Sequence, residues 1–208
     1  MIIAVDGPTA SGKGTVSKRL AAHYGLPVLD TGAIYRAVGL AVLDAGGDPA
    51  AAAAAEDAAR ALDLSAIDES RIRTSAVGGA ASVVAAIPAV RAALLDAQRA
   101  FARQPGGAVL DGRDIGTVVA PFADVKLYVT ATLPVRAERR FKELRAAGEA
   151  VTLDQVEAMI AARDARDSSR DAAPAVQAPD AHVVDTTDLT IEEAVAAARA
   201  FVDQALRR

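Results

Sequence analysis

The chain reads as an α/β protein: a five-stranded parallel sheet with helices on both faces. Three observations predict it. Short apolar runs alternate with stretches of helical period, the pattern of strands joined by crossover helices. A glycine-rich turn, "GPTASGKGT" at 7–15, stands between the first such run and the first helix. Asp6, Asp30 and Asp111 each fall where an apolar run stops. That places carboxylates beyond the carboxyl ends of the strands, where parallel sheets bind ligands.

The elements follow in order. "IIAVDG" is the first strand, and behind the glycine turn Val16, Leu20 and Tyr24 recur at helical spacing. "PVLDTG" repeats the strand-to-turn pattern, with Ile34, Val38 and Val42 forming the stripe of a helix that starts near Gly32. Asp48 before Pro49 offers a capping side chain and a preset first helical residue, so a helix is expected from there through the alanine run. Another begins near Pro88, where Val90, Leu94, Ala97 and Phe101 make an apolar face, Leu94 and Phe101 being core by preference. "GAVLDG", "VKLYVTA" and "AHVVDTTD" supply the remaining strands, and a last functional helix is expected from near Leu153.

Composition narrows the classes. A chain of 208 residues, 52% hydrophobic and 24% charged, suits one compact domain. No run approaches the roughly 20 apolar residues of a membrane span, and "MIIAVDG" has no secretory pattern, so a cytoplasmic protein is expected. The absence of cysteine excludes disulfides, thiol catalysis and cysteine-based zinc sites. A net charge of −4 argues against a nucleic-acid partner. Only four of the 23 basic residues are lysines, which reads as compositional bias, so each arginine has to be judged by position.

In the glycine-rich turn, backbone N–H groups at a helix N-terminus converge on phosphate oxygens, and glycines permit the close approach. Gly7, Ala10, Ser11, Gly12, Lys13, Gly14 and Thr15 are the candidate nucleotide-binding set, with Lys13 as the charge for the outer phosphates. The common pattern places a hydroxyl after the lysine; here that position is Gly14. A magnesium ion would then rest on phosphates and water, with Thr15 and Asp111 ordering that water. The plain alternative for Asp111 is a turn-former before Gly112.

The form G-x-x-x-x-G-K-G-T resembles nucleoside monophosphate kinases. With "LDTGAIYR" at 29–36, "AASVVAAIPAVR" at 80–91, "LDGRDIGTVV" at 110–119 and "RDARDSSR" at 163–170, the chain resembles bacterial cytidylate kinases over nearly its whole length. The resemblance implies a single P-loop kinase domain, residues 1–208. Its core would span 1–43, 106–131 and 171–208, with a mostly helical acceptor lobe at 44–105 and a helical lid at 132–170. It implies transfer of the γ-phosphoryl group of ATP to CMP or dCMP, Mg²⁺ bound with the ATP, and a monomer with no membrane partner.

By the same resemblance Arg36 and Arg113 anchor the acceptor's phosphate beside Thr31 and Tyr35. Arg163 and Asp167 reach its ribose, while Lys13, Arg163, Arg166 and Arg170 act on the phosphates in transfer. Arg163, Arg166, Asp167 and Arg170 fall three and four apart on one helical face, which a triphosphate or a solvated set of salt bridges would neutralise. Ser82, Arg91 and Asp114 complement cytosine's amine and its two acceptors; the plain alternative is a surface arginine and a turn cap.

One departure concerns "LSAIDES", between Asp63 and Arg71, where such kinases commonly carry a longer insert forming a small antiparallel sheet. Seven residues cannot make three paired strands at about 3.3 Å per residue. No general base is expected, since a phosphate acceptor is already ionised; His23 and His182 lie outside every motif. A GTP-dependent switch lacks support, because its N-K-x-D element needs asparagine and the chain has none. Adenylate or shikimate kinase, or a non-catalytic nucleotide-binding module, are the other readings.

Overall fold

A computed structural model describes residues 1–207, the side chain of Ser65 excepted. Five strands, β1 (Ile2–Asp6), β2 (Val28–Asp30), β3 (Ala108–Gly112), β4 (Val125–Thr130) and β5 (His182–Asp185), form one parallel sheet in the order β2-β3-β1-β4-β5. The central strand β1 pairs with β3 and β4, Val5 standing opposite both Asp111 and Leu127. Burial on both faces explains why β1 and β3 read as near-continuous apolar runs, whereas β4 alternates buried and half-buried residues. Ile3, Ala4, Val5, Val109 and Leu110 are all fully buried.

On one face α1 (Lys13–Tyr24) and α8 (Ile191–Leu206) bring Val16, Leu20, Ala194, Ala198 and Val202 against Ile3, Val5, Leu127 and Val129. On the other, Ala4 and Leu110 meet Ala102 of α5 (Pro88–Ala102) and Ile115 and Val119 of a wide turn, Ile115–Val119. As expected, Leu94 is core and Ile34, Val38 and Val42 are the buried stripe of α2 (Thr31–Asp44); Phe101 is half-buried against the sheet.

Between β2 and β3 the described residues hold helices and short 3₁₀ turns and no strand: α2, α3 (Ala52–Arg60), α4 (Ser75–Val84) and α5, with 3₁₀ turns at Leu64–Ala66 and Arg71–Arg73. The helical expectation for this stretch is met, but two details differ. Helix α3 begins at Ala52 rather than at Asp48-Pro49, because the Asp48 carboxylate accepts from the Ala50 N–H at 2.9 Å and closes a tight turn instead of capping a helix. Helix α4 gave no periodic signal, half of its ten residues being alanine or glycine.

Tertiary packing selects those small residues. A Cβ on Gly39 of α2 would lie 3.0 Å from the Ala80 Cβ and 3.0 Å from the Ala81 nitrogen. Gly39→Ala is therefore expected to push α4 away and lower stability by about 1–3 kcal/mol. Thermal unfolding should show a fall of several degrees; an unchanged midpoint would mean that the two helices separate without cost.

Helices α6 (Leu133–Ala146) and α7 (Leu153–Ser168) form a hairpin around Ala137, Leu144, Val156 and Ile160, and Ala10 of the glycine-rich turn packs against the same cluster. Helix α7 starts at Leu153 as expected, under a reciprocal Thr152–Gln155 cap. It stops at Ser168, so Arg170 is off the helix and does not share a helical face with Arg163 and Arg166. No single helix among the described residues is long and apolar enough to cross a membrane.

Candidate active site

The glycine-rich turn leaves β1 through Gly7, where an added Cβ would lie 2.0 Å from the Val129 carbonyl oxygen; only glycine fits. Ala10 at φ 60° and Gly12 at φ 89° then fold the loop back into α1. No side chain caps α1, so its N-terminal amides and its dipole stand ready for an anion. The loop's carbonyls are held from behind. Thr9 O accepts from Arg136 at 3.2 Å, and Ser11 O accepts from the Thr186 hydroxyl at 2.8 Å. Arg139 in turn donates to the Thr186 hydroxyl at 2.9 Å and to its carbonyl at 2.7 Å.

Lys13 reaches back over the loop, donating to Pro8 O at 3.4 Å, with Nζ 4.0 Å from Asp111 Oδ1. Burial pulls Lys13 down to about 8, with Asp111 resisting, and burial raises Asp111 to about 6, with Lys13 resisting. An incoming anion would favour the ammonium further. Gly14 abuts this pair: a Cβ there would lie 3.2 Å from Asp111 Oδ2, so a hydroxyl-bearing side chain would crowd the carboxylate.

In front of the loop lies a cleft of about 250 Å³. Seven basic side chains line it, among them Lys13, Lys18, Arg36, Arg113 and Arg163, against the acids Asp30, Asp111 and Glu143. Such an excess in a chain of net charge −4 suits a polyanion. Arg36 there pairs loosely with Asp30 at 3.7 Å, and the Asp30 carboxylate caps α2 through the Ala33 N–H at 2.9 Å.

A narrower pocket of about 30 Å³ adjoins it, lined by Thr31, Tyr35, Ser82, Arg91, Asp114, Asp167 and Arg170. Gly32, Gly112, Arg113 and Arg163 line both cavities. The Arg91 guanidinium pairs with the Asp114 carboxylate, lies 5.5 Å from the Tyr35 ring centroid and donates to Ala85 O at 3.3 Å. Burial raises Asp114 above the usual carboxylate range, with Arg91 opposing.

Asp167 Oδ2 lies 2.5 Å from Arg113 Nε and 3.7 Å from Arg163 Nε, and Oδ1 accepts from Ser82 at 3.2 Å. Burial works to raise Asp167, but Arg113, Arg163 and Arg170 overcome it and hold the carboxyl below its usual range. Arg163 is pushed down to about 9, first by burial and then by Arg113. One carboxylate shared among three guanidiniums leaves positive charge unmatched at the junction of the two cavities.

The sequence-predicted residues are thus brought together, with three differences in placement. Arg166 is exposed, outside both cavities, and donates to the Ser82 hydroxyl at 2.9 Å. Arg170 lines the narrow pocket rather than the loop's cleft and donates to Ala173 O at 3.0 Å. Ser11 is fully buried behind the loop, its hydroxyl without a partner among the described residues. Thr15 is exposed in the cleft, and Thr31 donates to the Asp111 carbonyl at 2.8 Å. His23 is exposed and His182 stacks on Phe201 at 4.5 Å, both away from the cavities.

Sequence reasoning passed over Arg136, Arg139 and Arg140, which meet the loop and its cleft from α6. Their three- and four-residue spacing just after a strand was the available signal.

A family model described as cytidylate kinase matches residues 3–204. A cytidylate kinase of Caulobacter vibrioides (strain NA1000 / CB15N) is 59% identical over 207 residues, covering 100% of this chain and 97% of that protein. Cytidylate kinases of Xanthobacter autotrophicus and Azorhizobium caulinodans are each 60% identical, covering 98% and 99% of this chain and 97% and 99% of theirs. An uncharacterized protein from Eubacterium ventriosum ATCC 27560 shares the fold at a TM-score of 0.57 with 14% identity, over 98% of both chains.

Proposed function

Because the chain belongs to the cytidylate kinase family, we propose that ATP and CMP meet across its two cavities, the narrow pocket of about 30 Å³ opening to admit the acceptor's base, and that it transfers the γ-phosphoryl group of ATP to CMP or dCMP to give ADP and CDP or dCDP. The observation that carries this reading is the shared wall: Arg113 and Arg163 line both cavities. Two nucleotides whose phosphates meet there would place both anionic ends against the same guanidiniums.

Phosphoryl transfer needs positioning and charge more than covalent help. The loop amides and Lys13 hold the donor's outer phosphates. The acceptor oxygen arrives ionised, which agrees with a site that places no histidine in either cavity. As the phosphates enter, Arg113 and Arg163 exchange their hold on Asp167 for phosphate oxygens, gaining charge-assisted hydrogen bonds. In this reading residues 44–105 are the acceptor lobe and 132–170 the lid, which excludes water while the loop is loaded.

The Thr15 hydroxyl and the Asp111 carboxylate face the same cleft, and both are hard oxygen donors. They fit a Mg²⁺ ion held mainly by phosphates and water, and among the described residues no cluster of three or more His, Asp or Glu competes for it. Bound there, Mg²⁺ would offset charge on the donor's phosphate oxygens. A monomer in the cytoplasm, without membrane or nucleic-acid partner, completes the proposal; the net charge of −4 supports the last part.

A coupled ADP-release assay across nucleoside monophosphates and shikimate tests it. CMP and dCMP should be preferred. Preference for AMP or shikimate would favour the other kinases, and no acceptor-dependent turnover would leave a binding module. Arg170→Ala adds a finer check: from its place in the narrow pocket it should raise KM for CMP about tenfold or more with less effect on kcat. The reverse split would put Arg170 on the transferring phosphate.

A further inference from the structure

Asp6 ends β1, lies outside both cavities and has no part in the steps above. It is only 3% exposed. Its two oxygens accept from the Ile115 N–H at 2.8 Å and the Gly116 N–H at 2.7 Å. These residues directly follow Arg113 and Asp114 and open the wide turn, in which the Val119 and Ala120 amides reach back five residues to the Asp114 and Ile115 carbonyls.

The first amides of such a turn have no partner inside it. The residue at its head, Asp114, is the ordinary kind of side chain to satisfy them. It does not: Asp114 makes no capping bond, and its carboxylate is paired with Arg91. Asp6 does this work from the neighbouring strand. Gly116 accommodates it, since a Cβ there would lie 3.3 Å from Asp6 Oδ2 and 3.1 Å from Lys126 Cδ.

We propose that Asp6 is a positioning residue for acceptor choice: by capping the turn Ile115–Val119 it releases the Asp114 carboxylate to face the acceptor base together with Arg91. The proposal rests on the reading of Arg91 and Asp114 as the base-reading pair. Without Asp6, the Asp114 side chain has unpaired amides of its own turn to satisfy and is drawn away from Arg91.

Asp6→Asn keeps the size and turns one acceptor into a donor facing an N–H. It should lower the CMP-to-UMP ratio of kcat/KM about tenfold or more, chiefly through KM for CMP, with KM for ATP within about twofold of wild type. Asp114→Ala is measured in parallel, and so is the double variant. If Asp6 acts through Asp114, the Asp6 change should narrow the ratio no further in the Asp114→Ala background. Should Asp6→Asn not fold, Gly116→Ala disturbs the same contact from the other side and should narrow the ratio likewise. A narrowed ratio in Asp114→Ala with an unchanged one in the folded Asp6 or Gly116 variant overturns the role of Asp6 alone, as does additivity in the double variant. An unchanged ratio in Asp114→Ala overturns the base-reading pair, and the role of Asp6 falls with it.

Discussion

Lys13→Ala is expected to lower turnover by about three orders of magnitude or more while the protein stays folded, because a buried charge aimed at the transition state contributes several kcal/mol. The structure gives the reason for so large an effect. Lys13 sits at the head of α1 in a cleft where burial already works against its charge, and its near partner is the buried carboxylate of Asp111. Bound phosphates would complete its environment, and alanine would leave both them and Asp111 without that counter-charge. A folded protein with turnover lost is the expected pair of results, the melting temperature falling somewhat because Asp111 loses its counter-charge. Unchanged kinetics in a folded Lys13→Ala protein would remove the loop from the chemistry.

Asp114→Ala should erase most of the discrimination between CMP and UMP. Cytosine offers an amine with acceptors at N3 and O2, whereas uracil offers O4 and N3–H. Against uracil, Asp114 would face an oxygen and Arg91 a hydrogen. Buried polar groups left unpaired typically cost about 1–3 kcal/mol each, more for charges, so the wild-type ratio should run from roughly tens to thousands. The variant also strands Arg91, which is 9% exposed and, among the described residues, ion-paired only to Asp114. Stability should therefore fall as well. Asp114→Asn, which leaves Arg91 an acceptor, separates the two effects. Specificity constants for both nucleotides, measured well below each variant's melting temperature, decide the matter; a ratio that does not move rules out Asp114 as a base reader.

The core of this design was legible because its signals are local. Four of the five strands stop at glycine or aspartate, and strand, glycine loop and first helix are contiguous in "IIAVDGPTASGKGT". What stayed hidden depends on distant partners. Helix α4 is made of residues with no pattern of their own, chosen for a close approach to Gly39. Arg136 and Arg139 are hard to distinguish in an arginine-rich chain until their bonds to the loop and to Thr186 are seen. Arg166 and Arg170 looked like one charged face because the helical period was carried past Ser168, where the helix ends. Asp6 was read as a carboxylate at a strand end, but its partners are backbone amides 109 and 110 residues away, which no side-chain motif encodes.

The central place of β1 in the sheet bears on how the chain is made. Within this chain it leaves the ribosome first, yet its neighbours come late: Asp6 pairs with Gly112 on one side and Tyr128 on the other. At about 5–20 residues per second, synthesis takes roughly 6–25 seconds to deliver both. Until β3 arrives an apolar strand waits with two open edges, and until β4 arrives with one, and such edges invite pairing with other chains. Helices α2 to α5 pack largely on one another and can form meanwhile, so the nascent chain gains these helices before its glycine-rich loop has a scaffold. A ribosome halted before Val125 would carry a chain prone to aggregate and dependent on chaperones, with the residues of the loop all present and nothing yet to hold them in shape.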